Sequence, residues 1–160
     1  MFTLVQPPRQ EDQPTPLAVR RQVVDEFLRA VRAGTRAQVF ILLRELPELV
    51  LQSDDQGYLP VHLATKTGDA RLLQMLVEHG ADINAVSSNE ERVLPLHSAA
   101  YEGKIASMRY LLNQGADINA QDANGFTPLI CAAKSDRHEA VIFLHQVLYQ
   151  SFYSQRNVVE

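Results

Sequence analysis

Residues 80–85 read Gly80-Ala-Asp-Ile-Asn-Ala85, and residues 115–120 read Gly115-Ala-Asp-Ile-Asn-Ala120, the same hexapeptide at an offset of 35. Around it the match widens. Leu59-Pro-Val-His-Leu-Ala64 aligns with Leu94-Pro-Leu-His-Ser-Ala99, and Thr127-Pro-Leu-Ile-Cys-Ala132 follows. Pro60, Pro95 and Pro128 are separated by 35 and 33. Gly34, Gly68 and Gly103 are separated by 34 and 35, with Asp136 a further 33 on. Four units of one period signal stacked copies of a single supersecondary motif.

Each unit can be read from local chemistry. The three prolines suit the first position of a helix, where the missing N–H would lack a partner anyway. Thr127 is a good N-cap, whereas Leu59 and Leu94 cannot cap, which predicts a cost of ~1 kcal/mol per helix. Gly68 and Gly103 end the short first helix. Leu72, Leu73, Leu76 and Val77, then Met108, Leu111 and Leu112, carry the spacing of a second, amphipathic helix. Gly80 and Gly115 stop it, leaving hairpin tips near 54–58, 87–93 and 122–126. Ala64, Ala99, Ala100, Ala132 and Ala133 are expected to be small because neighbouring first helices approach closely there.

These motifs resemble the ankyrin repeat, the fullest copy being Asp122-Ala-Asn-Gly-Phe-Thr-Pro-Leu-Ile-Cys-Ala-Ala133. The resemblance implies an all-α solenoid of helix-turn-helix units with hairpin tips. The expected divisions are a Pro-rich extended or mobile tail over 1–16, an N-terminal capping repeat over 17–53 and repeats over 54–86 and 87–121. A C-terminal repeat with a capping helix then occupies 122–160. Val23, Val24, Phe27, Leu28 and Val31 mark a long helix in the first unit, followed by a second from Ala37 to Glu45. In the last helix, Ile142, Phe143, Tyr149, Phe152 and Tyr153 are too apolar for an end that faces water. They are expected to pack on the stack or to pair with another copy, so the chain is expected to be a monomer or a dimer through this helix.

Composition narrows the function classes. The 160 residues carry 15 Lys+Arg against 19 Asp+Glu, a net charge of −4, which argues against a general nucleic-acid binder. One cysteine excludes an internal disulfide and fits a reducing compartment, cytoplasmic or nuclear. No apolar run approaches the ~18 residues of a membrane span, and the start has no readable secretory signal.

The candidate chemical residues read as structural. His62 and His97 sit where the resemblance implies an imidazole bridging the hairpin backbones of two units. His79 suits a helix C-terminus, and His138 and His145 share a face but lack a third metal ligand. Cys131 is expected to be a buried, unreactive thiol. Asn84 and Asn119 resemble loop asparagines that are hydroxylated in this family, and the simpler reading is that their side chains bond the turn backbone. No catalytic, cofactor or metal site is expected.

The resemblance implies protein–protein recognition through the concave face of tips and first helices. The alternatives are a small inhibitor of a partner enzyme, or an effector that a bacterium delivers into a host cell. Residues 51–120 hold five Lys+Arg against nine Asp+Glu. Asp54, Asp55, Glu90 and Glu91, on successive tips, are expected to form an acidic ridge that steers a partner with a basic patch. The tip 86–92 carries two extra residues and has Arg92 in place of the turn glycine, so it should project. Carried over from the positions varied in designed ankyrin libraries, the candidate surface is Asp55, Gln56, Tyr58, Lys66 and Thr67 in the second unit. In the third it is Glu90, Glu91, Val93, Tyr101 and Glu102, and in the fourth Ala123, Asn124, Phe126, Lys134 and Ser135. The aromatic members are the expected anchors.

Overall fold

The computed structural model describes residues 16–156. Its elements form four helix pairs: α1 (Pro16–Ala33) with α2 (Arg36–Glu45), α3 (Pro60–Thr67) with α4 (Ala70–Glu78), α5 (Pro95–Tyr101) with α6 (Ile105–Asn113), and α7 (Pro128–Lys134) with α8 (His138–Arg156). A short 3-10 segment, Pro47–Leu51, follows α2, and no strand is present among the described residues. The tail expected over 1–16 lies outside the described residues except for Pro16, which opens α1.

Proline stands at the first position of α3, α5 and α7. One of the two leucine N-caps, Leu59, has its own backbone N–H satisfied by a side chain, and Leu94 does not. His62, in the first turn of α3, accepts a hydrogen bond from the Leu59 N–H at its Nδ1 (3.3 Å), the half of a capping box that does not depend on the leucine side chain. Within each pair the turn is left-handed at Gly34, Gly68, Gly103 and Asp136, with φ of 71°, 78°, 69° and 55°. The periodic position therefore keeps its conformation in the fourth unit, where aspartate replaces glycine.

The first helices pack side by side, α1 on α3, α3 on α5 and α5 on α7, and α4, α6 and α8 form a second layer. Ala64, Ala99, Ala100 and Ala132 are fully buried at these approaches. Ala133 is exposed, because it lies one position past the contacting face. Leu72, Leu73, Leu76, Met108, Leu111 and Leu144 are fully buried between the layers, each contributing roughly 1.5–3 kcal/mol. A buried hydroxyl ties the units together: Ser107 Oγ donates to Thr65 O at 3.1 Å.

Of the expected packing on the stack or pairing with another copy, packing is seen for Phe143 and not for the other four apolar side chains named in α8. Ile142, Tyr149, Phe152 and Tyr153 are exposed. Ala140 and Leu144, one turn apart, are the residues that α8 buries, and Ile142 lies on the opposite face. Phe143 is half-buried, with the Arg109 guanidinium 5.0 Å above its ring.

Candidate functional site

The candidate surface is a grid set by the repeat. Counted from each proline, the residue six positions on is Lys66, Tyr101 or Lys134, at or near the last turn of a first helix. The residue two positions before it is Tyr58, Val93 or Phe126, on a hairpin tip. In the outer two of these units the pair makes a cation–π contact. Lys66 Nζ lies 4.3 Å from the centre of the Tyr58 ring, and Lys134 Nζ lies 3.8 Å from that of Phe126. The middle unit reverses the chemistry, with Tyr101 on the helix, 56% exposed, and Val93 on the tip. Val93 is largely buried, yet it contributes to the lining of the cavity that opens between the two aromatic rings.

Between the two aromatic walls lies a cavity of about 610 Å³, bordered by Tyr58, Lys66, Tyr101, Phe126 and Lys134, with Glu91 and Asn124 also lining it. Sequence reasoning missed four further lining residues: His97, Ser98, Asp122 and Cys131. A signal for two of them was available. Three positions after each proline stand Leu63, Ser98 and Cys131, so the leucine that fills this place in the second unit gives way to smaller residues in the third and fourth.

The other expected contact residues are not part of this lining. Asp55, Gln56, Glu90 and Ala123 are exposed along the tips, and Glu102 is half-buried at the end of α5. Thr67 is committed to its own helix end, its Oγ1 donating to Ala64 O at 2.8 Å and accepting from Asp69 N at 3.1 Å. The Ser135 hydroxyl is buried without a hydrogen-bond partner.

The acidic ridge is shorter than expected. Asp54 accepts hydrogen bonds from Gln56 N and Tyr58 N at Oδ1 and pairs with Arg32 at 2.6 Å, which leaves its side chain only 4% exposed. Asp122 closes the fourth tip in the same way through Asn124 N and Phe126 N. The inserted tip is braced at its base by hydrogen bonds. Ser87 is buried and exchanges hydrogen bonds with Val93, and Ser88 N donates to Gly57 O of the preceding tip. Arg92 takes the left-handed conformation, φ 49°, that its place in the turn demands. In the Asp-Ile-Asn turns the bonds come from the aspartates: Asp82 and Asp117 accept from the backbone of Asn84 and Asn119.

The histidines bridge tips. His62 Nε2 donates to Val93 O at 2.9 Å, and His97 Nε2 donates to Phe126 O at 2.8 Å. Because a carbonyl only accepts, both rings hold the proton on Nε2. Burial pushes both imidazoles below their ordinary pKa, with the backbone hydrogen bonds opposing in part. Nδ1 of His97 is buried and has no partner. Burial, with Asp122 adding, raises the Cys131 thiol to about 11, so it is not a thiolate at neutral pH. Among the described residues no group of three or more His, Cys, Asp or Glu could hold a metal ion, and no helix is long and apolar enough to cross a membrane.

Comparison with known proteins agrees with the repeat. The family described as "Ankyrin repeat" matches residues 56–88, and "Ankyrin repeats (many copies)" matches residues 96–145. Alpha-latrotoxin-Lh1a of Latrodectus hasselti is 33% identical over 96 residues, 60% of this chain and 7% of the toxin. Delta-latroinsectotoxin-Lt1a of Latrodectus tredecimguttatus is 33% identical over 59 residues, 37% of this chain and 5% of that protein. The chain therefore spans less than a tenth of the length of these curated relatives. The family matches together cover just over half of the 160 residues and fall on the second, third and fourth helix pairs of the stack: the chain belongs to the ankyrin-repeat family.

Proposed function

We propose that this chain is a non-catalytic protein-interaction module whose partner docks on the face formed by the hairpin tips and first helices. Ankyrin repeats are in general modules for protein–protein interaction. The observation that carries the reading is the cavity at the centre of that face, with Tyr101 standing 56% exposed beside it. An exposed aromatic side chain has few rotors to freeze and a large area to bury, which suits a binding anchor. The scaffold beneath it is held by buried alanines and the histidine bridges, so little reordering accompanies association. Asp55 and Glu90 are exposed on the tips outside the cavity and attract basic groups of the partner that lie beyond the segment seated in it.

Panning a library of random displayed peptides on the folded protein tests this reading. The selected peptides should bind the Tyr101→Ala variant at least tenfold more weakly, while its melting temperature stays near that of the parent. Selected peptides that bind Tyr101→Ala and Phe126→Ala unchanged would move the docking site elsewhere.

A further inference from the structure

Resting on that docking surface, we infer that its cavity takes an extended partner segment in which one aromatic side chain is flanked, about three residues to either side, by carboxylates. The middle unit supplies the slot. Val93 is buried where its neighbours carry Tyr58 and Phe126, so the tip row dips between two aromatic walls. Ser98 and Cys131 are small where the second unit carries Leu63, which deepens the same place. A volume of about 610 Å³ accommodates an aromatic side chain against Tyr101.

The flanking charges follow from the lysines. Lys66 and Lys134 each rest on an aromatic ring, and among the described residues neither has a carboxylate within ion-pair distance. A charge-assisted hydrogen bond to a carboxylate is stronger than an exposed cation–π contact, so each ammonium has a better partner to gain. The two lysines occupy equivalent positions two units apart. Packed helices lie 8–10 Å apart, which separates the two sites by about 16–20 Å. An extended chain rises about 3.3 Å per residue, so five or six residues span that distance, with the slot at the midpoint.

A peptide fits this pattern better than a nucleic acid. Glu91 lines the cavity, and Asp55 and Glu90 are exposed along the tips, so a polyphosphate chain crossing the face would meet fixed negative charge between the lysines. A peptide with an uncharged aromatic centre brings only two charges, both at the lysines, and so meets the Glu91 and Asp122 carboxylates of the lining less than a polyphosphate would.

The test uses a capped peptide, Gly-Glu-Gly-Ser-Phe-Ser-Gly-Glu-Gly, titrated into the full chain and followed by NMR at low salt. The same peptide with Lys for both Glu should bind at least fivefold more weakly. Replacing its Phe by Ala should cost at least as much. Lys66→Ala and Lys134→Ala should each weaken the acidic peptide threefold or more, with unchanged melting temperatures. The inference is overturned if the acidic peptide does not bind, if the Lys version binds as well, if the lysine variants bind it unchanged, or if oligothymidine competes it away. Panned peptides that depend on Tyr101 yet lack acidic flanks would sink this inference alone and leave the docking surface standing.

Discussion

His62 and His97 occupy the same place in neighbouring units, yet their two ring nitrogens fare differently. His62 uses both, one on its own unit's Leu59 N–H and one on the next tip, whereas Nδ1 of His97 is buried without a partner. His62→Ala should therefore cost more stability than His97→Ala, by ~1 kcal/mol for the additional bond. Burial lowers the pKa of both rings below the unfolded value near 6.5, so the unfolded chain binds more protons than the folded one as pH falls. Their contribution is present above pH ~6.5 and is lost as pH falls below it. Melting temperature should drop between pH 7.5 and 5.5, and a variant lacking both imidazoles should show a shallower dependence. An equal slope in that variant would place the titration elsewhere.

At the scale of the element, the tips depend on close backbone approach. A Cβ on Gly57, whose φ is +81°, would lie 2.6 Å from Ser88 Oγ and 2.8 Å from Asn89 N of the next tip. Gly125, with φ +76°, faces open space. Both replacements by alanine carry the left-handed penalty of roughly 1–2 kcal/mol, but Gly57→Ala adds a steric clash and should melt clearly lower. Equal melts would mean that the two tips are not held together as described. In α8, Leu144→Ala should cost ~2–5 kcal/mol, while Ile142→Ser, on the exposed face, should change stability by less than ~0.5 kcal/mol. Chemical denaturation of the two variants measures both.

These elements also show what the sequence made legible. Prolines, glycines and leucine spacing were enough for the helix pairs, because each acts within its own turn. The face of α8 was not legible, since its apolar residues occupy two faces and only the neighbouring layer selects Ala140 and Leu144. Asp54 was misread for a similar reason: its partner Arg32 is 22 residues away, in another unit. Register alone put Val93 on the surface, whereas its burial is a property of the assembled stack. The inserted tip exposes Glu90, Glu91 and Arg92, while buried Ser87 ties its base to Val93, a bond that only the folded turn reveals.

For the whole molecule, rigidity and recognition are properties of one grid. The buried rows of alanine, proline and histidine fix the spacing of the units, and half-buried Lys66 and exposed Tyr101 and Lys134 inherit that spacing. A partner thus meets groups whose separation is set by helix packing rather than by loop conformation. The candidate cavity was half legible: the aromatic and lysine positions follow from the repeat, Ser98 and Cys131 stand where the second unit has Leu63, and His97 and Asp122 join it only through packing between units. The most direct measurement is amide chemical-shift mapping of the isotope-labelled chain, titrated with the tightest peptide from the panning. The largest changes should fall at residues 56–58, 91 and 124–126 and in the last turns of α3, α5 and α7, centred on Tyr101. Largest changes instead on the exposed face of α8 around Tyr149, with the Tyr101 region unmoved, would contradict the proposed docking surface.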